Sequence, residues 1–176
     1  MSLSNALIFS PCSVSLFICL CCVRSLCVTQ ILLSRSNGSV KLADLGASTQ
    51  LTDTMTKANT LIGSPCWMAP EIMSQEKYDG KADIWSLGIT CLEMATGAPP
   101  HYGAHPVQVM NLIVASPPPV LEGEQFSKCF KEFVALCLVK DPEKRPTLTQ
   151  LLRHAFVKKA RKTTEIKLMM QGGTLR

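Results

Sequence analysis

The sequence has no excess of basic charge over most of its length. Residues 1 to 157 carry twelve Lys and Arg against twelve Asp and Glu, whereas residues 158 to 176 carry six against one. A nucleic-acid-binding domain would line one face of its fold with basic residues. The balance therefore argues against nucleic acid as a partner. The run KKARK at residues 158 to 162 indicates a solvated tail, with nuclear targeting or an acidic partner as the alternatives.

The body of the chain also lacks paired cysteines. Five of the nine Cys lie between residues 12 and 27, and the others stand alone in apolar surroundings at Cys66, Cys91, Cys129 and Cys137. They lack the C-x₂-C spacing of a zinc site, which favours small buried hydrophobes in a reducing compartment. We therefore expect a cytoplasmic protein without a disulfide framework. His101 and His105 have no further ligands nearby, so a metal site there is not favoured.

Charge is nearly absent from the N-terminal segment. Between Asn5 and Ser34 the one charged residue is Arg24, and the uncharged run Ala6 to Val23 is just long enough to cross a bilayer as a helix. Pro11 and three Ser weaken that helix, no basic residue precedes it, and no small-residue cleavage site follows. Residues 1 to 30 are thus expected to lie outside the fold, with a membrane anchor as the open alternative.

The body begins with a predicted hairpin. Ile31 to Leu33 and Val40 to Asp44 are short apolar strands, and Asn37-Gly38 between them supplies the positive φ of a tight turn. From Leu45 to about Pro70 the chain is polar and rich in Thr, which predicts a long loop.

Helices are predicted for the rest of the body. Lys81 to Thr96 is apolar on most faces and stops at Gly97, which suits a buried central helix. Pro106 to Ala115 places Met110, Ile113 and Val114 on one side. Two further helices are indicated by apolar residues at helical spacing, one from Phe130 to Leu138 after Ser127 and one from Leu148 to Phe156 after Thr147-x-x-Gln150. The expected fold is mainly α with a small β-hairpin.

Three stretches carry chemical information: ADLG at 43 to 46, GSPCWMAPE at 63 to 71, and DIWSLG at 83 to 88 together with KDPEKRP at 140 to 146. In this order and spacing they resemble the C-terminal lobe of a protein kinase. WMAPE and GITCLEMATG are similar to the Sterile-20 family of Ser/Thr kinases, closest to its oxidative-stress-responsive and proline-alanine-rich branch. The resemblance implies a kinase lobe over residues 31 to 157, followed by the basic tail 158 to 176.

The resemblance implies roles for individual residues. Asp44 would be the Mg²⁺ ligand, with Leu45 in place of the usual Phe, and Thr60 would be the activation-loop phosphosite. The alternative for Thr60 is an ordinary exposed Thr. Substrate binding would fall to Ser64, Pro65, Cys66 and Trp67.

Three further residues would be structural. Glu71 and Arg145 resemble the ion pair that ties the end of the activation segment to the helical core, in which the planar guanidinium grips a carboxylate through two bonds. Asp83 opens the central helix, where a carboxylate is favoured, and by resemblance it also holds the backbone of the catalytic loop.

Several parts of a kinase are not found in the sequence. No GxGxxG occurs, no strand ending in Ala-x-Lys precedes Ile31, and the small lobe is therefore expected to be absent. At the positions of the catalytic-loop Asp and Asn stand Ser25 and Gln30. Arg24 matches the loop Arg, but Val23 and Cys27 replace the His and Lys. We expect a truncated or mis-assembled reading frame from a kinase gene, or alternatively a short pseudokinase.

Two functions therefore remain open. The first is a partial Ser/Thr kinase domain with ATP and Mg²⁺ as family cofactors and protein substrates as partners, inactive when alone. The second is a non-catalytic module that docks kinase partners or substrates through the helices from Pro106 onward.

Overall fold

The computed structural model describes residues 31–43, 65–76, 78–159, 165, 167–168 and 171. Two strands, β1 (Ile31–Leu33) and β2 (Val40–Leu42), pair antiparallel with Ile31 opposite Leu42. The turn between them places Gly38 at φ 71°, and Ser39 N donates to Asn37 Oδ1 at 2.9 Å. The Asn-Gly turn thus forms because glycine accepts the left-handed conformation without strain.

The helices that follow are α1 (Pro70–Met73), α2 (Lys81–Thr96), α3 (Pro106–Ala115), α4 (Lys128–Cys137), α5 (Leu148–Leu152) and α6 (Ala155–Lys158). A 3₁₀ turn, Pro65–Trp67, precedes α1. The predicted fold class, mainly α with one small hairpin, is confirmed.

Helix α2 runs through the centre of the helical body. Its residues from Ile84 to Leu92 are all buried, and the helix ends at Gly97 in the left-handed conformation, φ 89°. Gly97 N donates to Glu93 O at 2.7 Å, which closes the last turn. The prediction of a buried central helix with a glycine stop is therefore correct, because Gly alone adopts that φ without cost.

Helix α4 packs against α2 through the apolar face that the sequence predicts. Phe130, Phe133, Val134 and Cys137 are buried, and Ser127 Oγ accepts from Phe130 N at 3.2 Å as the helix cap. The same apolar face also contacts Phe156, whose ring lies 4.7 Å from that of Phe130.

Two helix details differ from the sequence prediction. In α3 the buried residues are Val109 and Ile113, one turn apart, whereas Val114 is 46% exposed. The segment 148–156 is two short helices, because His154 adopts an extended conformation (ψ 142°) between α5 and α6 and its Nδ1 accepts from Phe156 N. Side-chain capping at His154 competes with continuation of the helix.

The capping box at α5 yields a stability prediction. Thr147 Oγ1 accepts from Gln150 N, and Gln150 Oε1 accepts from Thr147 N at 2.7 Å. Replacing Thr147 by Ala should lower the free energy of unfolding by about 1 kcal/mol, because one of the first backbone N–H groups of α5 loses its acceptor. Urea denaturation measures the change. Thr149→Ala, an exposed threonine in the same helix, is the control and should change stability much less; equal losses would contradict the capping role.

Candidate functional site

The predicted substrate-binding stretch is described from Pro65 onward and forms the 3₁₀ turn. Met68 N donates to Pro65 O at 3.0 Å and closes this turn. Cys66 is buried beneath it, and Met68 and Ala69 follow as core residues. The stretch is therefore a short rigid element resting on the helical core, with Pro65 and Trp67 half-buried at its surface.

Trp67 is bonded to helix α2 at two points. Ser86 Oγ donates to the Trp67 carbonyl oxygen at 2.7 Å, and Trp67 Nε1 donates to Glu93 Oε2 at 2.9 Å. Neither Ser86 nor Glu93 was predicted from the sequence as a functional residue. Their seven-residue spacing, which places two side chains on one face of a helix, is the sequence signal that could have found them.

Directly after this stretch, α1 begins and presents Glu71 to the core. Arg145 Nη1 lies 2.8 Å from Glu71 Oε1, and Arg145 Nη2 lies 3.1 Å from Glu71 Oε2. The Glu71 side chain is 2% exposed and the Arg145 side chain is 0% exposed. The two residues thus form a buried bidentate ion pair, the geometry in which a guanidinium binds a carboxylate most strongly.

The remaining donors of Arg145 are also used. Nε donates to Val139 O at 2.9 Å, Nη1 to Lys81 O at 2.6 Å, and Nη2 to Lys140 O at 3.3 Å. All five N–H groups of the guanidinium therefore have acceptors, which a buried cation requires. The guanidinium carbon also lies 5.5 Å from the centre of the Trp85 ring. Arg145 consequently joins α1, the start of α2 and the loop before α5.

Asp83 lies in the first turn of α2 and is half-buried. A carboxylate there interacts favourably with the positive end of the helix dipole. Its predicted contact with the catalytic-loop backbone involves residues outside the described part of the chain, so that role stays a prediction.

Other predicted site residues also lie outside the described residues. They are Asp44, Thr60 and Ser64, together with the catalytic-loop positions Ser25 and Gln30. Within the described ranges, no group of three or more His, Cys, Asp and Glu side chains could hold a metal ion. The predicted metal ligand and phosphosite remain predictions from sequence.

The buried thiols near α2 are chemically inert. Burial raises the pKa of Cys91, with a further rise from neighbouring Cys137, and burial likewise raises the pKa of Cys137. Both thiols are therefore protonated at neutral pH, and a protonated thiol is a poor nucleophile and metal ligand. They act as small apolar core residues.

No helix within the described ranges combines the length and the apolar character needed to cross a membrane. The apolar run Ala6 to Val23 lies outside those ranges.

Residues 23–157 match the family model of the protein kinase domain. This match begins before β1 and includes the residues that the sequence analysis compared with the catalytic loop. The chain is 47% identical over 131 residues to Serine/threonine-protein kinase 1 of Arabidopsis thaliana, covering 74% of this chain and 16% of that protein. It is 48% identical over 141 residues to Serine/threonine-protein kinase cst-1 of Caenorhabditis elegans, covering 80% of this chain and 28% of that protein. The chain thus spans less than a third of either relative.

Proposed function

The chain belongs to the protein kinase family, and from that premise we propose that residues 31 to 157 are the substrate-facing helical lobe of a Ser/Thr protein kinase. The proposed family activity is transfer of the γ-phosphoryl group of ATP to Ser and Thr hydroxyls of protein substrates. The observation that carries the proposal is the buried pair Glu71–Arg145, which anchors the segment directly after Pro65–Trp67 to the core. In phosphoryl transfer, catalysis depends on positioning, and an anchored substrate-facing segment provides it.

The assignment extends to the rest of the chain. We place residues 1 to 30 outside the lobe and treat residues 158 to 176 as a basic tail, in a cytoplasmic protein. Because the chain spans 16% and 28% of the two relatives, the activity, substrates and partners of a whole kinase are part of the same proposal.

ATP and Mg²⁺ are the cofactors that the family implies, and the donor set of this chain does not suit them. At the two positions that match the metal ligands of the family, the sequence has one carboxylate, Asp44, and the longer amide Gln30 in place of an Asn. Mg²⁺ in kinases is shared between protein oxygens and phosphates that a loop and a lysine already hold. We therefore propose that this polypeptide binds Mg²⁺·ATP weakly, and we derive no catalytic step through either group.

The chain purified alone should not transfer phosphate. Ser25 is no general base at neutral pH, and the electrostatic groups that stabilise the transferring phosphoryl group are not found in the sequence. Radiolabelled transfer from ATP to a generic basic protein should stay at background, and ATP with Mg²⁺ should leave the melting temperature unchanged. The control is Asp44→Ala. Transfer by the natural chain that is lost in this variant would contradict the proposal.

A second candidate is a non-catalytic docking module. Residues 97 to 120 contain no Asp, Glu, Lys or Arg, and this segment exposes four large apolar side chains, namely those of Tyr102, Val107, Val114 and Val120. An uncharged segment with exposed apolar side chains is a candidate surface for contact with another protein. The two candidates are distinguished by the gene sequence before Ile31: a catalytic loop encoded there supports the kinase, and its absence favours the docking module.

A further inference from the structure

Helix α2 forms hydrogen bonds with both the backbone and the side chain of Trp67, which lies in the substrate-facing stretch. The hydroxyl of Ser86 reaches the backbone oxygen of Trp67 at 2.7 Å, and the carboxylate of Glu93 reaches its indole N–H at 2.9 Å. The first bond restrains the main chain of Trp67, and the second restrains its side chain. Together they form what we call the Trp67 clamp, made of Ser86, Trp67 and Glu93.

The spacing of the clamp follows from helix geometry. Seven residues make nearly two full turns, so Ser86 and Glu93 lie on one face of α2, about 10 Å apart along its axis. That separation lets one group meet the main chain and the other meet the far end of the indole. A single rigid helix can therefore set the backbone and the side-chain orientation of Trp67 together.

Burial makes the clamp specific to Trp67. Ser86 is completely buried, and its alternative acceptor, the carbonyl oxygen of Ala82 in its own helix, lies farther away at 3.3 Å. The acceptor in the bond to the indole is the carboxylate of Glu93, so this hydrogen bond is charge-assisted. Because Glu93 is half-buried, the bond is partly shielded from water. Both bonds are thus expected to persist in solution.

The residues around Trp67 transmit this restraint. Pro65 and Met68 are joined by the hydrogen bond that closes the 3₁₀ turn, and Met68 and Ala69 are buried immediately after it. With Trp67 held and the following residues packed, little freedom remains for Pro65 and Cys66.

We infer that Ser86 and Glu93 are positioning residues that set the conformation of Pro65–Trp67 by holding Trp67. The statement that this stretch faces a protein substrate rests on the proposed function. The conformational role does not, so it can be tested without any phosphate transfer.

The test uses the two tryptophans of the full chain. With ¹⁵N-labelled Trp, the ¹H–¹⁵N spectrum contains two indole signals, and Trp67→Phe identifies that of Trp67 by removing it. In Glu93→Leu we expect this signal to shift and its proton to exchange with water about tenfold faster or more, since a hydrogen bond to a charged group is lost. Glu93→Gln keeps an acceptor oxygen and should restore most of the protection.

The second measurement follows the main chain. Hydrogen exchange of the Met68 amide, which closes the turn, should become faster in both Ser86→Ala and Glu93→Leu. The matched control is Glu132→Leu, which removes an exposed carboxylate from α4 and should leave the indole signal and the Met68 amide unchanged. Circular dichroism establishes that each variant is folded.

The inference is overturned if Glu93→Leu leaves the Trp67 indole signal and its exchange unchanged. It is equally overturned if the Met68 amide stays protected when either end of the clamp is removed. Both outcomes are independent of the transfer assay. A chain unrelated to phosphate transfer could still have the clamp, and a kinase lobe could lack it.

Discussion

Replacing Glu71 by Ala is expected to lower the free energy of unfolding by about 3 to 5 kcal/mol. Arg145 would remain buried, and two of its five N–H donors would lose their acceptor. A buried cation without its counter-ion costs far more than the pair contributes when intact, because its hydration is not replaced. For a chain of this size the melting temperature should fall by roughly 6 to 20 °C, as measured by circular dichroism.

The matched control is Glu76→Ala, five residues along the chain. Glu76 is an exposed carboxylate beyond the end of α1, so its removal should change the stability by less than about 0.5 kcal/mol. Arg145→Lys should resemble Glu71→Ala, since a lysine cannot form the bidentate pair and reach three carbonyl oxygens as well. A melting curve for Glu71→Ala that overlays the natural chain would contradict the anchoring role of the pair.

The second large effect is expected at Gly88 of α2, which lies close against the C-terminal end of α4. A Cβ added at Gly88 would lie 2.7 Å from Leu138 Cδ2 and 2.8 Å from Cys137 Cβ. Cys137 Cβ is bound to the α4 backbone, so the clash cannot be relieved by a rotamer change alone. Overpacking costs about 1 to 3 kcal/mol, and the better helix propensity of Ala returns at most about 1 kcal/mol. Gly88→Ala should therefore be destabilising in urea unfolding.

Gly80→Ala provides the control for Gly88→Ala. Gly80 precedes α2 at φ −60°, and an added Cβ would meet nothing within 4 Å. That substitution should be neutral or slightly stabilising. Combining Gly88→Ala with Leu138→Ala should cost less than the sum of the single changes, because the truncated Leu138 makes room for the new methyl group. If the Gly88→Ala chain is as stable as the natural one, α2 and α4 are packed more loosely than the distances at Gly88 indicate.

Local sequence patterns predicted most helices of the body. The glycine stop at Gly97, the serine cap at Ser127 and the capping box at Thr147 each act within one helix turn, so neighbouring residues suffice to identify them. The break at His154 was not predicted, because the apolar spacing continues through it and only the capping bond to Phe156 N interrupts the helix.

Contacts between distant residues were predictable only where a family motif pointed to them. Glu71 and Arg145 are 74 positions apart, and the kinase resemblance alone suggested their pairing. The Trp67 clamp was not predicted, because nothing in the sequence distinguishes Ser86 and Glu93 from other residues of a buried helix. Their contacts with Trp67 depend on the packing of the 3₁₀ turn against α2.

We propose that this chain is part of a Ser/Thr protein kinase, and the decisive experiment is to sequence the transcript upstream of the Ile31 codon. We predict a form of the message in which an exon encoding His-Arg-Asp, followed by an Asn immediately before Ile31, joins the helical lobe and continues upstream to a strand lysine and a glycine-rich loop. If every transcript that contains the Ile31 codon encodes only Ser25 and Gln30 at those positions, the catalytic proposal is contradicted and the docking module is favoured.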